Sequence, residues 1–259
     1  MGTDLPLIRR ERLRSVIDAA GSISVREAMD LLEVSEMTVR RDLALLAGDG
    51  QVELTRGGAA AVGRLAPDAD FAQRVDRNVA PKRRLAQRAL AEVEDDDVLF
   101  VSGGTTCLEL ARQLRGTRRC TVVTNSLPVV AELAADPAIQ VMAVGGWAGP
   151  DNDMTGNLAE RTIRGMRAGK AFIGATGIVP AGVFNANAGR AAVDIEMAAN
   201  ALATYVLADS SKVGQVALVK VAGLGDLAAV VSDTAPPAEA RGWFADAGVP
   251  VLWPEEETA

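Results

Sequence analysis

Two groups of residues in this chain have the types and spacing to recognise a charged partner. The first is Arg40 and Arg41, adjacent in the run VSEMTVRRDLALL, with Ser35, Met37 and Thr38 just ahead of them. A guanidinium is a planar fork of donors that can straddle a guanine edge or a phosphate, and Ser and Thr hydroxyls more often bond phosphate oxygens. The second is Ser102-Gly103-Gly104-Thr105-Thr106, with Asp209-Ser210-Ser211-Lys212 further along. Two glycines let the backbone approach a ligand closely, while hydroxyls and the free N–H groups of a helix start offer donors to an anion. A lysine adds a point charge for a phosphate, and Asp209 has the acceptors to bond sugar hydroxyls. A glycine-rich turn with a solvated lysine and an aspartate acting as a cap fits the same residues.

The elements that position the first group are short helices. Leu13, Val16 and Ile17 mark a helix over 8–20 closed by Gly21, and Ala28, Leu31, Leu32 and Val34 form the apolar face of a second. In the third, Val39, Leu43 and Leu46 share one face, so Met37, Thr38, Arg40 and Arg41 project from the other, with Ser35 as N-cap. Two helices joined by a tight turn present side chains to a DNA groove, and a small helical subdomain with solvated arginines has the same periodicity. Residues 1–62 hold eight Lys or Arg against ten Asp or Glu, so a DNA contact would rest on a local cluster of Arg40, Arg41 and Arg56 and not on a general positive field.

The second group sits in a longer alternating region. Residues 63–81, with Gly, two Pro and mixed charge, read as a linker whose middle, 71–78, is helical or packs on the second domain. Helices are expected over 82–93, 106–114, 127–135 and 158–166, and strands over 98–101, 121–124, 140–144 and 171–175, with further apolar runs at 205–208, 216–219, 228–231 and 249–252. Strands apolar along their length, alternating with helices, predict an α/β domain with a mostly parallel sheet covered on both faces. Ligands bind beyond the carboxyl ends of such strands. Three successive ends carry Ser102 to Thr106, then Thr124-Asn125-Ser126, then Gly145-Gly146, which suits one shared polar crevice.

A chain of 259 residues has room for two domains, and 49% hydrophobic with 24% charged residues is a globular composition. The absence of histidine excludes histidine-based catalysis and most zinc chemistry, and Cys107 and Cys120 are too few for a disulfide framework, so no metal or cofactor is expected. With no cleavable signal and no apolar run long enough to cross a bilayer, no membrane association is expected and the protein is placed in the cytoplasm. The net charge of −7 favours solubility.

The run VSEMTVRRDLALL followed by GQVELTRGGAA resembles the DeoR family of bacterial transcription regulators across residues 8–62. The resemblance implies a winged helix-turn-helix over 1–62, with Ser35, Met37, Thr38, Arg40 and Arg41 on the recognition helix and wing strands 51–55 and 59–62 around Arg56, Gly57 and Gly58. Arg56 stands where the family commonly has histidine, implying a stronger phosphate or minor-groove contact. DDVLFVSGGTT, TVVTNSL, VMAVGG, KAFIGATGI and VLADSSKVG resemble, in order, the effector-sensing domain of the same family across roughly 76–233. That domain has the fold of ribose phosphate isomerases and coenzyme A transferases. The resemblance implies a sensor domain over 82–259 that binds a phosphorylated sugar or related metabolite through Ser102, Gly103, Gly104, Thr105, Thr106 and Lys212, with Thr124, Asn125, Gly146 and Asp209 in the same pocket. It further implies a repressor of a carbohydrate operon, acting on double-stranded operator DNA as a homodimer or homotetramer.

An isomerase-like enzyme with an accessory DNA-binding domain is the alternative. That chemistry needs a carboxylate at the end of the strand AFIGATGI, and residues 173–178 contain none; Asp151 and Asp153 lie nearby in a DND run that reads as a flexible turn. The chain also departs from the family at Gly169, usually acidic, and at Ala192 and Asp194, usually Glu and Lys. If Asp194 met the ligand it would weaken a phosphate or select a less anionic effector, which leaves the effector open.

Overall fold

The computed structural model describes residues 6–20, 22–49, 51–55, 58–61, 66 and 71–254. The chain forms two compact units, Met1–Pro67 and Asp68–Ala259.

In the first unit, α1 (Pro6–Ala20), β1 (Ser22–Ser24), α2 (Val25–Leu32), α3 (Glu36–Gly48), β2 (Val52–Thr55) and β3 (Gly58–Ala61) follow in order, with an antiparallel sheet β1-β3-β2. Gly21 and Val62 lie outside the described residues. Leu13, Ile17, Ile23, Ala28, Val39, Leu43, Leu46 and Val52 form the core. Ser24 ends β1 and also caps α2: its hydroxyl accepts from the Glu27 N–H at 3.1 Å, while its own N–H donates to the Glu27 carboxylate at 2.9 Å. Leu31, expected on the core face of α2, is 37% exposed, because Val25 and Ala28 supply that face.

One pair fastens α1 to α3. Arg9 Nε donates to Asp42 Oδ2 at 2.5 Å and Arg9 Nη2 to Asp42 Oδ1 at 3.2 Å, a two-pronged contact with Asp42 buried. Removing one partner strands a buried charge. Asp42→Ala is therefore expected to lower the unfolding free energy of this unit by about 3 kcal/mol, checked by chemical denaturation of the full chain with the second unit's transition as internal reference.

The second unit runs α4 (Phe71–Val75), α5 (Val79–Leu90), β4 (Val98–Val101), α6 (Thr105–Leu114), β5 (Cys120–Thr124), α7 (Leu127–Leu133), β6 (Ile139–Ala143), β7 (Trp147–Ala148), β8 (Met154–Thr155), α8 (Asn157–Arg164), β9 (Ala168–Gly174), β10 (Gly177–Val179), β11 (Gly182–Asn185), α9 (Ala188–Ala199), β12 (Ala201–Leu207), β13 (Val219–Ala222), β14 (Ala229–Val231), α10 (Ala238–Asp246) and β15 (Val251–Leu252). Seven strands form one sheet in the order β15-β14-β12-β9-β4-β5-β6, every neighbouring pair parallel. Its strands are apolar on both faces because both are covered. Leu99, Val101 and Phe172 point into a core with Leu85 of α5, Leu110 of α6 and Leu133 of α7, whereas Phe100, Ala171 and Ile173 point into another with Ile163 of α8, Met197 of α9 and Phe244 of α10.

One expected linker bound and one expected strand need correction, while the middle of that linker is helical and packs on the second unit, as both of its alternatives had it. Residues 71–81 form α4 and the start of α5 within this unit, because Phe71 packs against the α5/α6 core and Lys82 bonds backward into the same segment. The run 216–219 does not extend the parallel sheet: β13 begins at Val219 and pairs antiparallel with β11 in a separate sheet β10-β11-β13. Among the described residues no helix is long and apolar enough to cross a membrane.

Candidate functional site

On α3 the outward residues are those the spacing predicted. Met37 is 81% exposed, and Arg40 and Arg41 are exposed. Ser35 caps the helix, its hydroxyl accepting weakly from the Thr38 N–H at 3.4 Å and lying 2.9 Å from Thr38 Oγ1. Arg40 Nε donates to Glu36 Oε1 at 2.8 Å in an exposed pair one turn apart, which costs little to exchange for a phosphate. The Arg41 guanidinium makes no hydrogen bond or ion pair among the described residues. Gly58, expected as a wing-tip contact, is buried in β3 opposite Ser24, where an added Cβ would meet the Ile23 carbonyl oxygen at 1.8 Å; it is glycine for strand packing. Arg56 and Gly57 lie outside the described residues.

In the second unit, β4 ends in Ser102, Gly103 and Gly104, and α6 starts at Thr105. Gly104 has φ +112°, a left-handed conformation suited to glycine, and has no side chain, so the helix start carries no side-chain cap. Arg74 lies beside it, with Lys82 and Lys212 within electrostatic reach of Arg74. A Cβ on Gly104 would lie 3.9 Å from Arg74 Nη1 of α4. Lys82 is buried and donates to the carbonyls of Arg74 and, at 2.6 Å, Arg77; burial pushes its pKa down to about 8, helped by Lys212 and Arg74 against Asp209. Lys212, half-buried, is lowered by burial and by Arg77 and Arg74, and its ammonium makes no hydrogen bond or ion pair among the described residues. Arg74, Arg77 and Lys82 were missed in the sequence because they lie at the margin of an apparent linker; the basic excess over 74–84, where Asp76 is the one acid, was the available signal.

Several of the residues expected in the pocket make structural bonds. Asn125 Oδ1 accepts from the Gly103 N–H at 2.9 Å and its amide donates to the Met154 carbonyl at 3.3 Å. Thr124 Oγ1 accepts from the Ser126 N–H at 3.0 Å. Gly146, with φ +116°, starts the β7–β8 hairpin, where a Cβ would strike the Thr155 carbonyl oxygen at 2.5 Å. Asp209 accepts from the Ser211 N–H at 3.0 Å and from its hydroxyl, capping the short 3-10 turn that carries Lys212. Thr105 is buried and Thr106 half-buried at the start of α6.

The larger surprise is acidic. Asp151 and Asp153, expected in a flexible turn, are buried and clamped by Arg190 of α9: Nη2 donates to Asp151 Oδ2 and Nε to Asp153 Oδ2, each at 2.6 Å. Asp151 Oδ1 also accepts from Arg74 Nη2 at 2.8 Å. Burial opposes charge on Arg190, but Asp153 and Asp151 outweigh it and push its pKa up. Burial pushes Asp153 up, against Arg190. Asp194, one turn after Arg190, is fully buried and accepts from the Ser102 hydroxyl and, at 3.0 Å, from the Asn185 amide. It holds the loop from beneath. Gly169 lies near the start of β9, at the end opposite this loop, and nothing in the structure explains Ala192.

The fold and sites thus define a helix-turn-helix protein with a second, α/β unit. The comparisons agree in both parts: residues 9–64 match the DeoR-like helix-turn-helix domain and residues 77–234 the DeoR C terminal sensor domain. The chain belongs to the DeoR family of transcriptional regulators. It is 29% identical to the lactose phosphotransferase system repressor of Lactococcus lactis subsp. lactis over 79% of this chain and 82% of that one. It is 28% identical to the HTH-type transcriptional repressor CsqR of Escherichia coli K12 over 96% of each chain. It is also 28% identical to the regulator GlpR of Haloferax volcanii, over 96% of this chain and 98% of that one. Ribose 5-phosphate isomerase A of Methanocaldococcus jannaschii aligns over 52% of this chain and 55% of its own, with 17% identity and a TM-score of 0.40.

Asp194 has a measurable signature. Burial above all, opposed by Ser102, Arg190 and Asn185, moves its carboxyl from 3.8 up to about 7. An acid whose pKa rises on folding keeps its proton in the folded state after the unfolded chain has lost it, so stability falls as pH rises from about 4 to about 7. The melting temperature of Asp194→Asn relative to the unsubstituted chain is expected to climb between pH 5 and pH 7.5. A difference independent of pH would contradict the assignment.

Proposed function

We propose that this chain represses carbohydrate-metabolism genes and that a phosphorylated sugar or closely related metabolite, bound in the second unit, modulates its hold on operator DNA. The observation that supports it is Arg74 beside Gly104 at the uncapped start of α6, with Lys82 bonded to the Arg74 carbonyl and Lys212 within electrostatic reach of both, a geometry suited to a phosphate. The relatives that repress transcription, one of them named for a lactose phosphotransferase system, support the carbohydrate assignment. The reading is of a cytoplasmic binder and not a catalyst. It places operator contacts on Arg40 and Arg41 with Arg56 and Gly57 of the wing, and it has two or four copies joined through their sensor units, since operators are commonly paired half-sites.

Two measurements test this. Arg41→Ala is expected to weaken binding to the DNA upstream of the chain's own gene by roughly 10- to 100-fold in a gel shift, with an unchanged melting temperature; undiminished affinity would remove Arg41 from the interface. Lys212→Ala is expected to weaken inorganic phosphate binding about tenfold by calorimetry, the scale of one charge-assisted contact. Equal affinity in both proteins would move the anion elsewhere.

A further inference from the structure

Two buried polar atoms next to the phosphate loop make no hydrogen bond among the described residues: Ser126 Oγ and Asp153 Oδ1. Both residues are almost wholly buried, at 0% and 2% exposure. Leaving such atoms unmatched is costly, more so for a carboxylate. Their coincidence is not accidental to the fold, because Ser126 and Asp153 face each other across an isolated antiparallel bridge. The bridge is bracketed by the Leu127 N–H donating to the Asn152 carbonyl at 2.9 Å and the Met154 N–H to the Asn125 carbonyl at 2.6 Å. That pattern makes 126 and 153 a non-hydrogen-bonded pair, the kind whose side chains stand on one face and approach most closely.

The position of this pair relates it to the anion site. A Cβ on Gly103 would fall 2.1 Å from Asp153 Oδ1, and on Gly104, the next residue, 3.9 Å from Arg74 Nη1. The orphaned acceptor and the cation therefore flank adjacent residues of one loop, whose Cα atoms are about 3.8 Å apart. A ligand lying along that loop meets a cation at one end and a carboxylate with a hydroxyl at the other. Asp153 Oδ2 already has its cation in Arg190, which favours a neutral group over an ammonium. A neutral hydroxyl fits both orphans, donating to Asp153 Oδ1 while accepting from Ser126 Oγ.

Building on the proposed anion site, we propose that Ser126 and Asp153 are the specificity-determining residues of the effector pocket, reading a hydroxyl of a polyhydroxylated phosphate ester whose phosphate lies at Gly104 and Arg74. Ligands with phosphate alone fill half of the site.

Calorimetry on the full chain with inorganic phosphate, ribose 5-phosphate, fructose 1-phosphate, fructose 6-phosphate and glucose 6-phosphate tests the assignment, comparing unsubstituted protein with Ser126→Ala and Asp153→Asn. At least one sugar phosphate is expected to bind about tenfold or more tighter than inorganic phosphate, and that ratio is expected to fall at least about tenfold in both variants. Ser126→Ala guards against misfolding, since its side chain makes no hydrogen bond that the fold would lose. An unchanged ratio in the variants would mean that water satisfies the two atoms and would overturn the proposal. Inorganic phosphate binding as tightly as every sugar phosphate would overturn it too, while leaving the anion site standing. Failure of inorganic phosphate and all the sugars to bind would remove the anion site itself, and the hydroxyl reading with it.

Discussion

The buried guanidinium of Arg190 is the contact on which the second unit's site depends. It takes one carboxylate from Asp151 and another from Asp153, making a wall of the five-residue connection between β7 and β8. Asp153 is thereby pressed against Gly103, and Asp151 is aimed at Arg74 of α4. Asp194, four residues on and on the same face of α9, holds Ser102. A single helix thus fixes both sides of the loop between β4 and α6. Such an arrangement is weak as a stability device, because taking three charges out of water costs most of what their attraction returns. Its value is positional: removing one charge leaves the others uncompensated, so the wall has one arrangement.

The sheet was legible in the sequence because its signal is local. Runs such as VLFV and CTVVT are apolar on both faces, and no arrangement except burial between two helical layers accommodates them. The loop at Ser102 to Thr106 was legible for the same reason, a strand, two glycines and a helix in succession. The charge network was not. Arg190 and Asp153 are 37 residues apart and Ser102 and Asp194 are 92 apart, so neither pair has a local pattern. The DND run reads as a turn because turns are its commonest setting. β1 escaped notice because three residues, SIS, carry no periodicity, and only the close approach of Gly58 to Ile23 reveals its strand partner.

The first unit makes a different use of charge. Arg9 is spent on Asp42 within the fold, and Arg40 rests on Glu36 at the surface. Against a net charge of −7, nonspecific attraction to a polyanion is small, so DNA affinity has to come from a few well-placed donors. That places selectivity above raw affinity. In the proposed reading, where a metabolite modulates the hold on operator DNA, such a balance serves because no broad positive field holds the protein to the duplex.

The proposed effector enters a site where Asp151 already occupies Arg74. A phosphate at the start of α6 either shares that guanidinium or takes it from the carboxylate, and only a difference in how the two states satisfy Arg74 can shift the protein between them. α4, which carries Arg74, is the first element of the second unit in chain order. Lys82 adds a second link, for its ammonium is bonded to the carbonyls of Arg74 and Arg77 and feels the charge of Lys212. Anion binding therefore bears on α4 in two ways, through the Arg74 side chain and through the backbone that Lys82 holds. In the proposed reading the consequence falls on α4, the element through which a differential effect of the ligand would be expressed in this unit.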